Sequence, residues 1–135
     1  GAATFLAKTA APSEPIVVSS PFAYFPLAFH LGCGFRGGAC REGRSVHLYS
    51  DTGELLHFAG APILTRADLV GPELFLRRAD GIAPRRVWVV DTTGFGGSLL
   101  PVPPRYRLVT ERLFSELFAF QGDIVVREYR AALPP

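Results

Sequence analysis

Two short runs constrain this chain more than any other feature: IVV at residues 16–18 and VWVV at residues 87–90. Neither alternates with polar residues. A strand wetted on one side alternates, whereas one covered on both faces reads as a continuous apolar run. Both runs are therefore expected to be buried neighbouring strands in an open, largely parallel sheet with helices on its faces. Length agrees with a single unit. At 135 residues the chain 1–135 is one domain, able to bury about 68% of its unfolded surface.

The remaining elements are placed around these strands. Residues 2–10 are rich in helix formers, with Phe5 and Leu6 on one side, and Pro12 ends the helix. Phe22, Phe25 and Phe29 fall at i, i+3 and i+7, marking one face of a second helix that Pro26 should kink or delay. Residues 31–44 form a glycine-rich, arginine-bearing loop. SVHLYS at residues 45–50 alternates as a half-buried strand with Val46 and Leu48 inward, and Asp51-Thr52-Gly53 turns after it. Residues 55–58 fit either a partner strand or the first turn of a helix. Thr65 followed by Asp68 fits an N-cap, so a helix is expected over residues 66–78, interrupted near Gly71-Pro72. Residues 92–104 read as a loop, and residues 106–113 and 124–129 as two late strands. Strands so close in sequence suggest an antiparallel pair. The expected fold is α/β: a small three-layer open sheet of Rossmann-like build, with a parallel core and an antiparallel C-terminal edge pair.

Composition narrows the partners. The net charge is +2, from 14 basic and 12 acidic residues. Nucleic acid calls for a clustered basic face, so no nucleic-acid partner is expected. No stretch reaches the roughly 20 apolar residues of a membrane span. The nearest, PFAYFPLAFHLGCGF at residues 21–35, is short and broken by Pro26, Gly32 and Gly34. The N-terminus lacks the pattern of a signal peptide. Methionine is absent, so the chain reads as a processed form or a piece of something larger.

Candidate chemistry is sparse. GCGFRG at residues 32–37 matches the letters of a dinucleotide fingerprint, but it follows a helix instead of opening one after a strand. Gly94, Gly96 and Gly97 follow a strand but lead into Leu99-Leu100-Pro101, where no phosphate-binding helix can begin. No cofactor is expected. Cys33 and Cys40 permit three states: a disulfide closing a short loop, two free thiols, or half of a zinc site with His30 and His47. The spacing matches no common zinc pattern, and no metal site is assigned. His30, His47 and His57 read as packing residues, since no nucleophile-elbow motif accompanies them. Glu14 and Asp91 can be posed as an acid–base pair, but nothing in their spacing supports it. Arg77-Arg78 and Arg85-Arg86 fit solvated edges or contacts to phosphate head groups. No catalytic residue is assigned. The best candidate pocket is Ser19, Ser20, Asp91, Thr92 and Thr93, which follow the two strongest strands, because ligands of open parallel sheets bind beyond the strands' carboxyl ends. The competing reading is that the hydroxyls cap helices and Asp91 starts a turn.

The order of segments carries a resemblance. GAATFLAKTA leads into PSEPIVVSSPFAYFPLAF, followed by RRVWVVDTTGFGG, PPRYRLVTERLF and finally DIVVREYR. This resembles the soluble C-terminal domain of bacterial membrane-embedded glycosyltransferases of the dolichyl-phosphate-mannose-protein mannosyltransferase-like superfamily. The resemblance spans nearly the whole chain and rests on the order of its elements. It implies an extracytoplasmic domain on the periplasmic face of a bacterial inner membrane, fused to a membrane-embedded portion of its own chain. That parent would transfer sugar from a polyprenyl-phosphate donor to a lipid or protein acceptor. No position here matches the acidic catalytic motif, so the fragment itself is expected to be non-catalytic, near lipid-linked sugar or acceptor. An oxidising compartment would join Cys33 to Cys40. The alternatives are a free-standing α/β ligand-binding or regulatory module with its site at the strand tips and, third, a small hydrolase.

Overall fold

The computed structural model describes residues 1–33, 40, 43–50, 69–75, 84–93, 100–115 and 122–132. In chain order these give α1 (Ala2–Thr9), β1 (Ile16–Val18), α2 (Pro21–His30), β2 (Val46–Tyr49), β3 (Leu69–Val70), a 3₁₀ turn (Pro72–Phe75), β4 (Arg86–Thr92), β5 (Tyr106–Phe114) and β6 (Ile124–Ala131). The six strands form one sheet in the order β3-β2-β1-β4-β6-β5. β1 pairs in parallel with β2 and β4, and β2 with β3. β6 is antiparallel to both β4 and β5. This is the expected α/β sheet with a parallel core and an antiparallel C-terminal edge pair.

The two diagnostic runs are adjacent: Ile16, Val17 and Val18 lie opposite Trp88, Val89 and Val90, all of them buried. Alternation then divides their side chains between two faces. Ile16, Val18, Trp88 and Val90 pack under α1 and α2 with Leu6, Tyr24, Leu27 and Ala28. Val17, Val87 and Val89 pack on the other face with Leu74 and Phe75 of the 3₁₀ turn, Leu100 and Tyr106. Each fully buried aliphatic of this kind contributes about 1.5–3 kcal/mol. Trp88 is the largest of them, and Phe5 of α1 meets its ring edge-on at 6.0 Å.

Three details depart from the sequence reading. First, α2 buries Ala23, Tyr24, Leu27 and Ala28, while Phe25 is half-buried and Phe29 stands 72% exposed. The phenylalanine spacing is helical, but the side turned to the sheet pairs the small Ala23 and Ala28 with the large Tyr24 and Leu27. Second, α2 runs through Pro26, which sits on its solvent side; Pro21 at the first helical position lacks only an N–H that has no intrahelical partner anyway. Third, residues 69–70 form β3 and residues 72–75 the 3₁₀ turn, where a helix over residues 66–78 was expected. Pairing Leu69 and Val70 with Leu48 and Tyr49 satisfies the free edge of β2. That long-range gain outweighs local helix propensity. The turn at residues 51–53, residues 55–58, the Thr65 cap, Arg77-Arg78, His57 and the second glycine cluster lie outside the described residues.

Gly32 ends α2. Its φ of 70° is left-handed, its N–H donates to Phe29 O at 3.1 Å, and Cys33 N–H donates to Ala28 O at 2.9 Å. This paired pattern closes a helix C-terminus and favours glycine. The first glycine of GCGFRG is thus a helix cap. Cys33 and Cys40 are joined as a disulfide. Arg44, which the sequence reading left in the loop, is buried. Its guanidinium donates to Ala10 O (2.5 Å), Ala7 O (2.7 Å) and Leu6 O (3.5 Å), binding the carbonyls at the end of α1. A cation there also complements the helix dipole.

Candidate functional site

The strand order reverses at β1. From β1 the chain passes through α2 to β2 and β3 on one side, then returns through the 3₁₀ turn to β4 on the other. α2 lies over one face and the 3₁₀ turn over the opposite one. The carboxyl ends of β1 and β4 therefore border a topological switch point, where open α/β sheets leave a crevice for ligands. Ser19 and Asp91 stand at those two ends.

Strand alternation separates the five residues singled out from the sequence. Asp91 continues the face of Val87 and Val89, whereas Thr92 continues the helix-covered face of Trp88 and Val90. Ser19 donates its N–H to Val90 O at 3.0 Å and its hydroxyl to the same oxygen at 3.4 Å. This extends the β1–β4 ladder and brings Ser19 beside Asp91. Ser20 is fully buried, and its carbonyl accepts the N–H groups of Ala23 and Tyr24, starting α2. Thr93 and Asp123 are joined twice: Thr93 N–H donates to Asp123 O (3.0 Å), and Asp123 N–H to Thr93 Oγ1 (2.9 Å). Ser20 and Thr93 are thus occupied with structure, while Ser19 and Asp91 form the centre of the site.

The sequence reading missed the groups that complete it. Arg127 of β6 donates from Nη1 to Asp91 Oδ2 at 2.6 Å and from Nε to Glu111 Oε2 at 2.8 Å. Asp91 is buried, with 4% of its side chain exposed, Arg127 has 18% exposed and Glu111 52%. A chain of three charges thus runs from the interior to the surface. The signal was present in DIVVREYR, where the adjacent Arg127 and Glu128 follow an apolar run inside the strand. Adjacent strand residues face opposite sides, so each charge needed its own partner.

Burial raises the Asp91 pKa above its ordinary value, because charge is costly away from water. The Ser19 hydroxyl, the Arg127 charge and the Leu100 backbone act in the opposite direction without cancelling it. Asp91 Oδ1 and Thr92 Oγ1 are buried without a close hydrogen-bond partner among the described residues, although the Ser19 hydroxyl, which donates to Val90 O, and the Leu100 backbone lie near the carboxylate. At Arg127 burial disfavours the charge, but the bond to Glu111 and the charges of Asp91 and Glu111 prevail and keep the guanidinium protonated. An acceptor with spare capacity, a donor fixed in place and a flanking hydroxyl suit hydrogen bonding to a polar, uncharged ligand. Glu111, Arg127 and Asp91 together carry one net negative charge, which disfavours an anion.

Other candidates do not assemble. Glu14 lies at the opposite end of β4, accepting from Trp88 Nε1 at 3.1 Å and pairing with Arg86 at 3.1 Å. It cannot act with Asp91 across the length of a strand. His47 is half-buried on β2, and His30 is exposed beside Phe29 with ring centroids 5.7 Å apart. No cluster of three or more metal-binding side chains occurs among the described residues. No described helix is long and apolar enough to cross a membrane. Neither a scan against protein-family models nor a search of curated proteins finds a match for the chain.

Proposed function

We propose that this chain is a non-catalytic α/β binding domain that holds a neutral polyhydroxyl ligand at the carboxyl ends of β1 and β4. One observation carries the reading: at the switch point, the buried Asp91 carboxylate is fixed through Oδ2 by Arg127, while Oδ1 has no close hydrogen-bond partner among the described residues. A sugar hydroxyl is a neutral donor; Asp91 Oδ1 is closed to solvent, so a ligand first meets the exposed atoms of Glu111 and Arg127 and reaches the carboxylate only as it opens. The segment resemblance supports placing this domain in an extracytoplasmic part of a membrane sugar transferase acting on polyprenyl-phosphate donors. The Cys33–Cys40 disulfide is compatible with an oxidising compartment.

Titration of the folded chain with neutral monosaccharides, followed by amide NMR, tests the site. Shifts should concentrate at Ser19, Asp91 and Arg127, and Asp91→Asn should weaken binding by about 10-fold, as expected for loss of a hydrogen bond to a charged group. Shifts scattered elsewhere, or full binding by Asp91→Asn, would refute it. The sugar-transferase context stands on separate ground. It requires several apolar runs of about 20 residues upstream in the full-length gene and no glycosyl transfer by these 135 residues alone. Two reactive thiols in protein folded in the periplasm would count against the extracytoplasmic placement.

A further inference from the structure

The pole of the sheet opposite the strand-tip site carries a different chemistry. Ala131 N–H donates to Arg85 O at 2.8 Å and Ala132 N–H to Arg105 O at 2.7 Å, while Arg107 lies directly across the β5–β6 ladder from Arg130. Arg85, Arg105, Arg107 and Arg130, all exposed, thus surround one stretch of backbone. Arg86 is next in line, paired across the ladder with Arg130 on its other side. The nearest carboxylates are Glu128, buried and shared between Arg86 (2.9 Å) and Arg130 (2.8 Å), and Glu14, bound to Arg86. Arg85, Arg105 and Arg107 have no carboxylate partner among the described residues. In a chain of net charge +2 this is a strong local concentration, and like charges directly opposite in a ladder are unfavourable.

Apolar surface accompanies the charge. Leu108 is 51% and Val109 43% exposed. With Arg107, Arg130, Ala131 and Ala132 they line an open groove of about 550 Å³. Charges on an edge strand often serve only to discourage strand pairing. Here the arginines gather on one short end of the edge and flank exposed aliphatic side chains, which discouragement of pairing does not require.

We propose that this pole docks on an anionic membrane surface, the arginines meeting lipid phosphates and Leu108 and Val109 entering the interface. The inference is independent of the ligand proposed for the strand tips. An extended acidic peptide added to the β5 edge is the rival occupant. It is disfavoured because the β5–β6 ladder slips between Leu108 and Thr110, a bulge at Val109 in the middle of this surface. Strand addition needs a regular row of backbone groups, whereas a bulge bends the edge and turns its side chain outward.

The test is co-sedimentation of the 135-residue chain with phosphatidylcholine vesicles, with and without phosphatidylglycerol, at low and high salt. Binding should require phosphatidylglycerol and be released by salt. Arg85→Gln with Arg107→Gln should weaken it by about 20- to 30-fold, near 5-fold per arginine. Both side chains are exposed and unpaired, so folding is preserved and checked by circular dichroism. Arg112→Gln, which removes the same charge at the far end of β5, should weaken binding by less than Arg107→Gln alone. Leu108→Ser with Val109→Ser should weaken it further. No binding by folded protein, equal binding to phosphatidylcholine alone, or equal effects of Arg107→Gln and Arg112→Gln would overturn the proposal. So would binding of inorganic phosphate or a glutamate-rich peptide at Arg107 without any vesicle binding, which would assign the groove to a soluble anion or to a protein partner.

Discussion

The two ends of β4 solve the same problem differently. Each must hold a carboxylate against an arginine next to a tightly packed core. At the amino end Glu14 accepts from Trp88 Nε1, Arg86 and the Ala11 N–H, and Glu128 accepts from Arg86, Arg130 and Thr110. Both oxygens of each carboxylate are engaged. At the carboxyl end Asp91 is as deeply buried as Glu128, yet among the described residues only its Oδ2 has a close hydrogen-bond partner. A satisfied network fixes a fold, whereas a buried acceptor left open costs stability that a ligand can recover. The first end is a closed network, whereas the second leaves one buried carboxylate oxygen without a partner among the described residues.

Four measurements test that contrast. Glu128→Ala should be the most damaging, costing about 2–3 kcal/mol in urea unfolding, because it leaves a hole in the buried sheet face and frees Thr110 and both arginines, although Arg86 keeps Glu14 and Arg130 keeps solvent. A cost well below 1 kcal/mol would mean that the amino-end network is ornamental. Trp88→Phe keeps most of the apolar volume but removes the indole donor to Glu14, and should cost about 1–2 kcal/mol. At the other end the sign should reverse. Thr92→Val is nearly isosteric and removes a buried hydroxyl with no described partner, so stability should be unchanged or rise by up to about 1 kcal/mol. A clear loss would show that Thr92 Oγ1 is bonded after all.

The smallest effect is a pH dependence. Burial raises the folded-state pKa of Asp91 above its ordinary 3.8. Between those two values the folded state binds more protons than the unfolded state, so this group's contribution to stability falls as pH rises. Below 3.8 both states are protonated and the penalty vanishes; above the raised folded value it is complete. The stability of Asp91→Asn relative to the parent should therefore increase as pH is raised from about 4. A flat difference across that range would place Asp91 in a solvated setting.

Strand content and central pairing were legible before any coordinates, and for a clear reason. The continuous runs at residues 16–18 and 87–90 can be buried on both sides only in the middle of a sheet, and the late strands lie close enough in sequence to pair antiparallel. Ser19 and Asp91 were legible as strand-end residues for the same reason. The phenylalanine spacing showed α2 but not its inner side, because a helical period is the same whichever side faces the sheet; that side is Ala23, Tyr24, Leu27 and Ala28. The segment ending in β3 was misread because a two-residue strand has almost no local signal; Leu69 pairs with Leu48, far back in the sequence.

What the sequence determined by itself was periodicity: which segments are strands or helices, and which strands must be central. Period and burial are properties of consecutive residues, and the hydrophobic effect acts on them locally. Only the tertiary structure decided which charges meet. Arg127 reaches Asp91 across β4 and β6, Arg44 reaches the end of α1 from a distant loop, and Arg85, Arg105, Arg107 and Arg130 gather at one pole. Those meetings depend on strand order and register, and a single-residue slip would send each side chain to the opposite face.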